Sequence, residues 1–174
     1  MIESARWIES GGGPLILLHA ARMSHWSGTK LSGYDSGTTD YARACAISDD
    51  LGLLAIESGD ALVLGDEPDR TAVIARGEAV FIVQWRWAPS EDALLSALLS
   101  ELDALPFIES GVFLTRPGMH VLFDSASTGA EIEASCSDVS AALVVHLETT
   151  RVSLASVDFQ PTRDIYALVH RLGK

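Results

Sequence analysis

The stretch DYARACAISDDLGLLAIESGDALVLGDEPD, Asp40 to Asp69, decides the reading of the fold. Leu53 to Glu57 is a short apolar run, Ser58-Gly59-Asp60 a turn, and Ala61 to Leu64 a second apolar run. Gly65-Asp66-Glu67-Pro68 ends the unit, because proline lacks the N–H that a strand ladder needs and glycine relaxes the backbone. The window holds eight acids (Asp40, Asp49, Asp50, Glu57, Asp60, Asp66, Glu67 and Asp69) against one base, Arg43. It predicts a core hairpin that presents negative charge at one edge.

Outward from that hairpin, the rest of the chain is also written mostly in short strands. Arg6 to Glu9 and Leu15 to Leu18 flank Ser10-Gly11-Gly12-Gly13-Pro14, which reads as a hairpin turn; no Gly-Lys-Ser/Thr and helix follow, as a phosphate loop requires. Residues 20 to 40 are rich in Ser, Gly and Thr and read as a long loop holding Trp26, which either anchors the loop on the core or belongs to a binding surface. Asp40 to Ala46 predicts a short helix or turn with Asp40 as its cap. Thr71 to Ile74 and Ala79 to Trp87 form a strand pair around Arg76-Gly77-Glu78, with Phe81, Val83, Trp85 and Trp87 alternating onto one face. Phe107 to Arg116 and Met119 to Phe123 around Pro117-Gly118 read as a further hairpin, and Ile132 to Cys136 as a weaker strand. Val145 to Leu147, Val152 to Val157 and Ile165 to Leu172 complete the strands.

One helix interrupts them, from about Ser90 to Leu105. Ser90 is the cap, and Glu91 and Asp92 sit where the helix dipole favours acids. Leu94, Leu95, Leu98, Leu99, Leu102 and Leu105 make one apolar stripe, and Pro106 follows. The expected fold class is therefore α+β: a mostly antiparallel sheet built from hairpins, with one main amphipathic helix packed on it. The 174 residues fit one domain, either undivided or made of two β-rich halves joined by the helix near 90–105.

The net charge of −12 and pI near 4.6 argue against nucleic acid and anionic membranes, which attract basic surfaces. They suit a basic protein partner, although acidity also serves plain solubility. Cys45 and Cys136 are too few for a disulfide framework, and Cys45, among small apolar neighbours, reads as a structural thiol. The N-terminal residues MIESARWIES show no leader pattern and no apolar run reaches membrane length, so a soluble, cytoplasmic protein is expected.

Catalytic signatures are sparse. His19, His25, His120, His146 and His170 show no metal-ligand spacing, although His120, His146 and His170 fall in strands and could converge. Ser27-Gly28-Thr29-Lys30 has S-x-x-K spacing without its companion motifs. The acidic pairs Asp49-Asp50 and Asp66-Glu67 could in principle work as acid and base or hold a cation, but such pairs after turns are mostly solvated edges. No cofactor is expected. A small hydrolase or metal-dependent enzyme using His120, His146 and hairpin acids stays open as one alternative, and a generic ligand-binding β-domain as another.

Three segments together carry a resemblance. They are Trp7 with Gly12-Gly13-Pro14-Leu15-Ile16-Leu17-Leu18; Trp26 with Asp40-Tyr41 and Arg43-Ala44-Cys45-Ala46; and Leu51-Gly52-Leu53 with Ala61-Leu62-Val63-Leu64-Gly65-Asp66-Glu67-Pro68. In order and spacing the chain resembles immunity protein 21 of bacterial polymorphic toxin systems, closely to about Trp87 and then mainly through Val121-Leu122-Phe123-Asp124. The resemblance implies a non-enzymatic cytoplasmic inhibitor that binds a cognate toxin with a basic surface. On that reading Asp49, Asp50, Asp66, Glu67 and Asp69 contact the toxin with Trp26 as anchor, while Trp7, Gly13, Pro14 and Cys45 serve the fold.

Overall fold

A computed structural model describes residues 5–31, 38–56, 59–65, 69–135 and 141–173. The chain divides into two compact units, each assembled from separated segments. One comprises residues 1–7, 69–112 and 153–174; the other comprises 8–68 and 113–152. The fold is mostly antiparallel β-sheet in two sheets with a few short helices, as the strand-rich sequence predicts.

The first unit carries a six-stranded sheet in the order β1-β5-β6-β11-β10-β7. Its strands are β1 (Trp7–Ile8), β5 (Arg70–Arg76), β6 (Ala79–Trp87), β7 (Ile108–Leu114), β10 (Arg151–Thr162) and β11 (Ile165–Leu172). β5 and β6 form the expected antiparallel pair, turning at Gly77, whose φ of +62° suits a residue without Cβ. Helix α2 (Glu91–Glu101) starts where the sequence places it: the Ser90 hydroxyl accepts the Ala93 N–H at 3.1 Å. Its Leu94 and Leu98, with Leu102 just beyond, pack on Phe81, Val83, Phe159, Ala167 and Val169. Burying each such leucine contributes about 2 kcal/mol.

The expected alternation along β6 breaks once. Trp85 pairs with Ala167 but Trp87 pairs with Tyr166, so Arg86 is an extra residue in the ladder. That bulge re-aims the strand end. Trp85 stays with the α2 core, whereas Trp87 turns out of it and is 47% exposed.

The second unit carries a five-stranded sheet in the order β3-β4-β2-β8-β9, with β2 (Leu15–His19), β3 (Leu51–Ile56), β4 (Gly59–Leu64), β8 (Gly118–Asp124) and β9 (Ala142–Leu147). The hairpin read first in the sequence is present as β3–β4, antiparallel from Leu51↔Leu64 to Ile56↔Gly59. Leu62, Val63 and Leu64 are fully buried. One sheet face packs Ile16, Leu18, Ala61, Val63 and Phe123 against Met23, Trp26, Ala44 and Ile132 from the short helical segments.

Four local expectations are corrected. The glycine run does not close a hairpin: β1 lies at the edge of one sheet and β2 between β4 and β8 of the other. Pro117-Gly118 likewise separates β7 from β8, which belong to different sheets. Residues Ala20–His25 form a 3-10 turn rather than open loop. Ile132 lies in helix α3 (Gly129–Ala134), not a strand, because Thr128 and Glu131 form a capping box: the Thr128 hydroxyl accepts the Glu131 N–H and the Glu131 carboxylate accepts the Thr128 N–H.

Candidate partner-binding surface

Asp49 and Asp50 are exposed and stand directly before β3. The Asp50 carbonyl accepts the Gly65 N–H at 3.0 Å, so the two open ends of the β3–β4 hairpin are clasped beside these carboxylates. A Cβ on Gly65 would come within 3.2 Å of the Asp50 Cα, so the approach suits a glycine. Asp66 and Glu67 lie outside the described residues.

Asp69 sits differently. It belongs to the other compact unit, and its carboxylate pairs with the bulge residue Arg86 at 2.7 Å, both side chains being largely buried. Its carbonyl accepts the Thr71 hydroxyl at 2.9 Å. Asp69 therefore braces the start of β5.

Trp26 is 2% exposed, and its indole N–H donates to the Ser125 carbonyl at 3.0 Å. Of its two sequence readings the geometry supports the loop anchor; a side chain this deep presents no surface to a partner. Asp40, expected as the α1 cap, is the first residue inside α1 (Asp40–Cys45), and Thr39 caps instead, accepting the Ala42 N–H. Buried Asp40 takes the Ser27 N–H and hydroxyl, both at 2.9 Å, and an Arg43 guanidinium N–H at 3.1 Å. Ser27 and Lys30 find separate partners, Lys30 pairing with Glu131 at 2.9 Å, so the S-x-x-K spacing assembles no nucleophile and base. Gly13 lies under the Tyr41 ring, which a Cβ would strike, and Cys45 is half-buried in α1.

Among the described residues, the tryptophan that is exposed is Trp87. It packs edge-on against Tyr166 with ring centroids 4.6 Å apart. Its N–H donates to the Arg163 carbonyl at 3.1 Å, and the Tyr166 hydroxyl donates to Asp158 at 2.6 Å. A rigid, half-exposed Trp–Tyr pair is the side-chain type that concentrates binding energy at interfaces. Sequence alternation places Trp87 in the core, and only the Arg86 bulge brings it out.

Two of the histidines act inside the sheets, one in each. His120 and His170 are fully buried. His120 Nδ1 donates to the Gly118 carbonyl at 3.0 Å, and Nε2 accepts the Thr115 hydroxyl at 2.7 Å. His170 has the opposite tautomer: Nε2 donates to Gln84 Oε1 at 2.9 Å and Nδ1 accepts the Ser156 hydroxyl at 2.8 Å. Burial pushes both rings down to about 4, so each is a neutral crosslink. They lie in different units, and among the described residues no group of three or more His, Cys, Asp or Glu could hold a metal.

No curated protein and no solved structure matches this chain. A family model does: the one described as Immunity protein 21 matches residues 6–164, which reaches into both compact units and takes in strands β1 to β10. The chain therefore belongs to the immunity protein 21 family, whose name implies neutralisation of a toxin.

Proposed function

We propose that the protein is the immunity partner of a toxin from a polymorphic toxin system, acting in the cytoplasm by stoichiometric binding and not by catalysis. The family match carries this reading, and it spans both units, which we take as parts of one immunity-protein domain. The exposed Asp49 and Asp50, joined by Asp66 and Glu67, which follow β4 in the sequence, would attract a basic toxin surface. Long-range attraction of this kind accelerates encounter, and salt weakens it. Trp87 on Tyr166 would supply an aromatic anchor, while Asp69 and Trp26 support from within.

The test is co-expression with the product of the neighbouring upstream gene, scoring growth and co-purification. A neighbour that kills alone, is silenced by this protein and co-purifies with it supports direct inhibition. Rescue without a complex, or a harmless neighbour, overturns it. With a complex in hand, Asp49→Lys with Asp50→Lys should slow association on the order of tenfold at low salt and flatten its salt dependence. Trp87→Ala should instead accelerate dissociation, on the order of 30-fold for a central hot spot. Unchanged kinetics removes the corresponding residues from the interface.

A further inference from the structure

Arg22 is the anomaly of the second unit. It lies in the 3-10 turn after β2 and is 6% exposed, yet its Nε and Nη1 find no hydrogen-bond acceptor among the described residues. Leaving a buried guanidinium unpaired costs several kcal/mol, so folds seldom keep one without a use. The fold nevertheless makes room for it. Gly59, at the start of β4 with φ of +138°, lies against the guanidinium, and a Cβ there would land on its nitrogens and Cζ.

A second cation stands near Arg22 in a chain that is strongly acidic overall. Desolvation, the largest effect, and repulsion from Arg116 lower the guanidinium's pKa, and among the described residues Asp60 offsets them in part. The His19 and His120 rings stand 5.0 Å apart, and the positive charge of Arg22 also bears on His120. Neither ring can relieve Arg22 as an acceptor through its committed nitrogens. His19 Nδ1 accepts the Ala21 N–H, its Nε2 faces the Pro117 carbonyl, and both His120 nitrogens are engaged. Gly59, Arg116 and Pro117 are exposed around this cluster, so it opens at the surface.

We infer that Arg22, with Arg116 at the rim, forms a binding site for a single oxyanion, a carboxylate or phosphate group, at the end of the five-stranded sheet beside Gly59 and Gly118. The planar guanidinium offers parallel N–H donors that match such a group. Its burial makes each donated bond strong once an acceptor arrives. The site lies at the turn end of the β3–β4 hairpin, opposite the end that carries Asp49 and Asp50, and binds the opposite charge.

The full-length protein is melted in chloride-balanced buffer of constant ionic strength while inorganic phosphate, or acetate in a second series, is raised through the millimolar range. The expected result is a saturable rise in Tm; a response to both anions marks a carboxylate-accepting site, and phosphate alone narrows it to phosphate groups. Arg22→Met should abolish the rise and melt at or above wild type in anion-free buffer, since it removes an unpaired buried charge. A structural arginine would behave oppositely, its loss lowering Tm with or without anion. Arg116→Gln, at an exposed position, should raise the half-saturating phosphate concentration several-fold while leaving the anion-free Tm unchanged. No saturable response in wild type, the same response in Arg22→Met, or an unmoved midpoint in Arg116→Gln would each overturn the site.

Discussion

Acidification from pH 7.5 to 5 should destabilise each compact unit through its one neutral, buried histidine. His120 and His170 take up protons near pH 4 in the folded chain and near 6.5 when unfolded. Between those values the unfolded state binds more protons, so stability is full above about pH 6.5 and is lost as pH falls towards 4. The whole shift corresponds to about 3 kcal/mol per histidine, and about 2 kcal/mol of it is lost by pH 5. The window above pH 5 is informative because ordinary carboxylates titrate mainly below it, so relief of the chain's negative self-repulsion has barely begun. Two kilocalories is a large share of a unit's stability. Urea unfolding at pH 7.5, 6.5, 5.5 and 5 measures the slope, and His120→Gln and His170→Gln each remove one share of it. Imidazole nitrogen NMR checks the cause directly: His120 should carry its proton on Nδ1 and His170 on Nε2. Stability that is flat or rising between pH 6.5 and 5, or a slope that survives both substitutions, would refute the reasoning.

Two further substitutions test how α3 is held. Gly129→Ala improves helix propensity by up to about 1 kcal/mol, yet its Cβ would collide with the Met23 carbonyl and come within 2.9 Å of the Met23 Cα. Since Gly129 also donates its N–H to the Trp26 carbonyl, the collision should win and lower stability by about 2–4 kcal/mol in urea unfolding; equal or greater stability contradicts the packing. Thr128→Ala removes the capping-box hydroxyl and should cost about 1 kcal/mol, read from the same curves, with an unchanged midpoint counting against the cap.

Elements whose partners lie next to them in the chain were legible. The β3–β4 and β5–β6 hairpins need only two apolar runs and a glycine between them, and α2 announces itself by Ser90 and its leucine stripe. Turns mislead when the strands they join do not pair: Gly11-Gly12-Gly13-Pro14 and Pro117-Gly118 say that the chain changes direction, not which sheet it enters. Helix α3 leaves a local signal too, Thr128 and Glu131 at capping-box spacing, which competes with the strand reading of Ile132 to Cys136. The candidate surfaces were harder. Asp49 and Asp50 follow from charge and turn position, but the burial of Trp26 and Arg22 and the emergence of Trp87 depend on long-range packing and on one bulge. None of these leaves a local pattern.

The alternation of segments between the two units sets an order of assembly. During synthesis the five-stranded unit has all its residues once Val152 has emerged, whereas the six-stranded unit still lacks β10 and β11. Those late strands are not trim: β11 lies between β6 and β10, so β5–β6 and α2 wait with one flank of the sheet unmade. Contacts this distant in sequence form slowly, because loop closure precedes the reward. A nascent chain therefore keeps one flank of β6 unpaired until β10 and β11 arrive, and loss of those strands by proteolysis or a premature stop would leave one unit complete and the other without its centre.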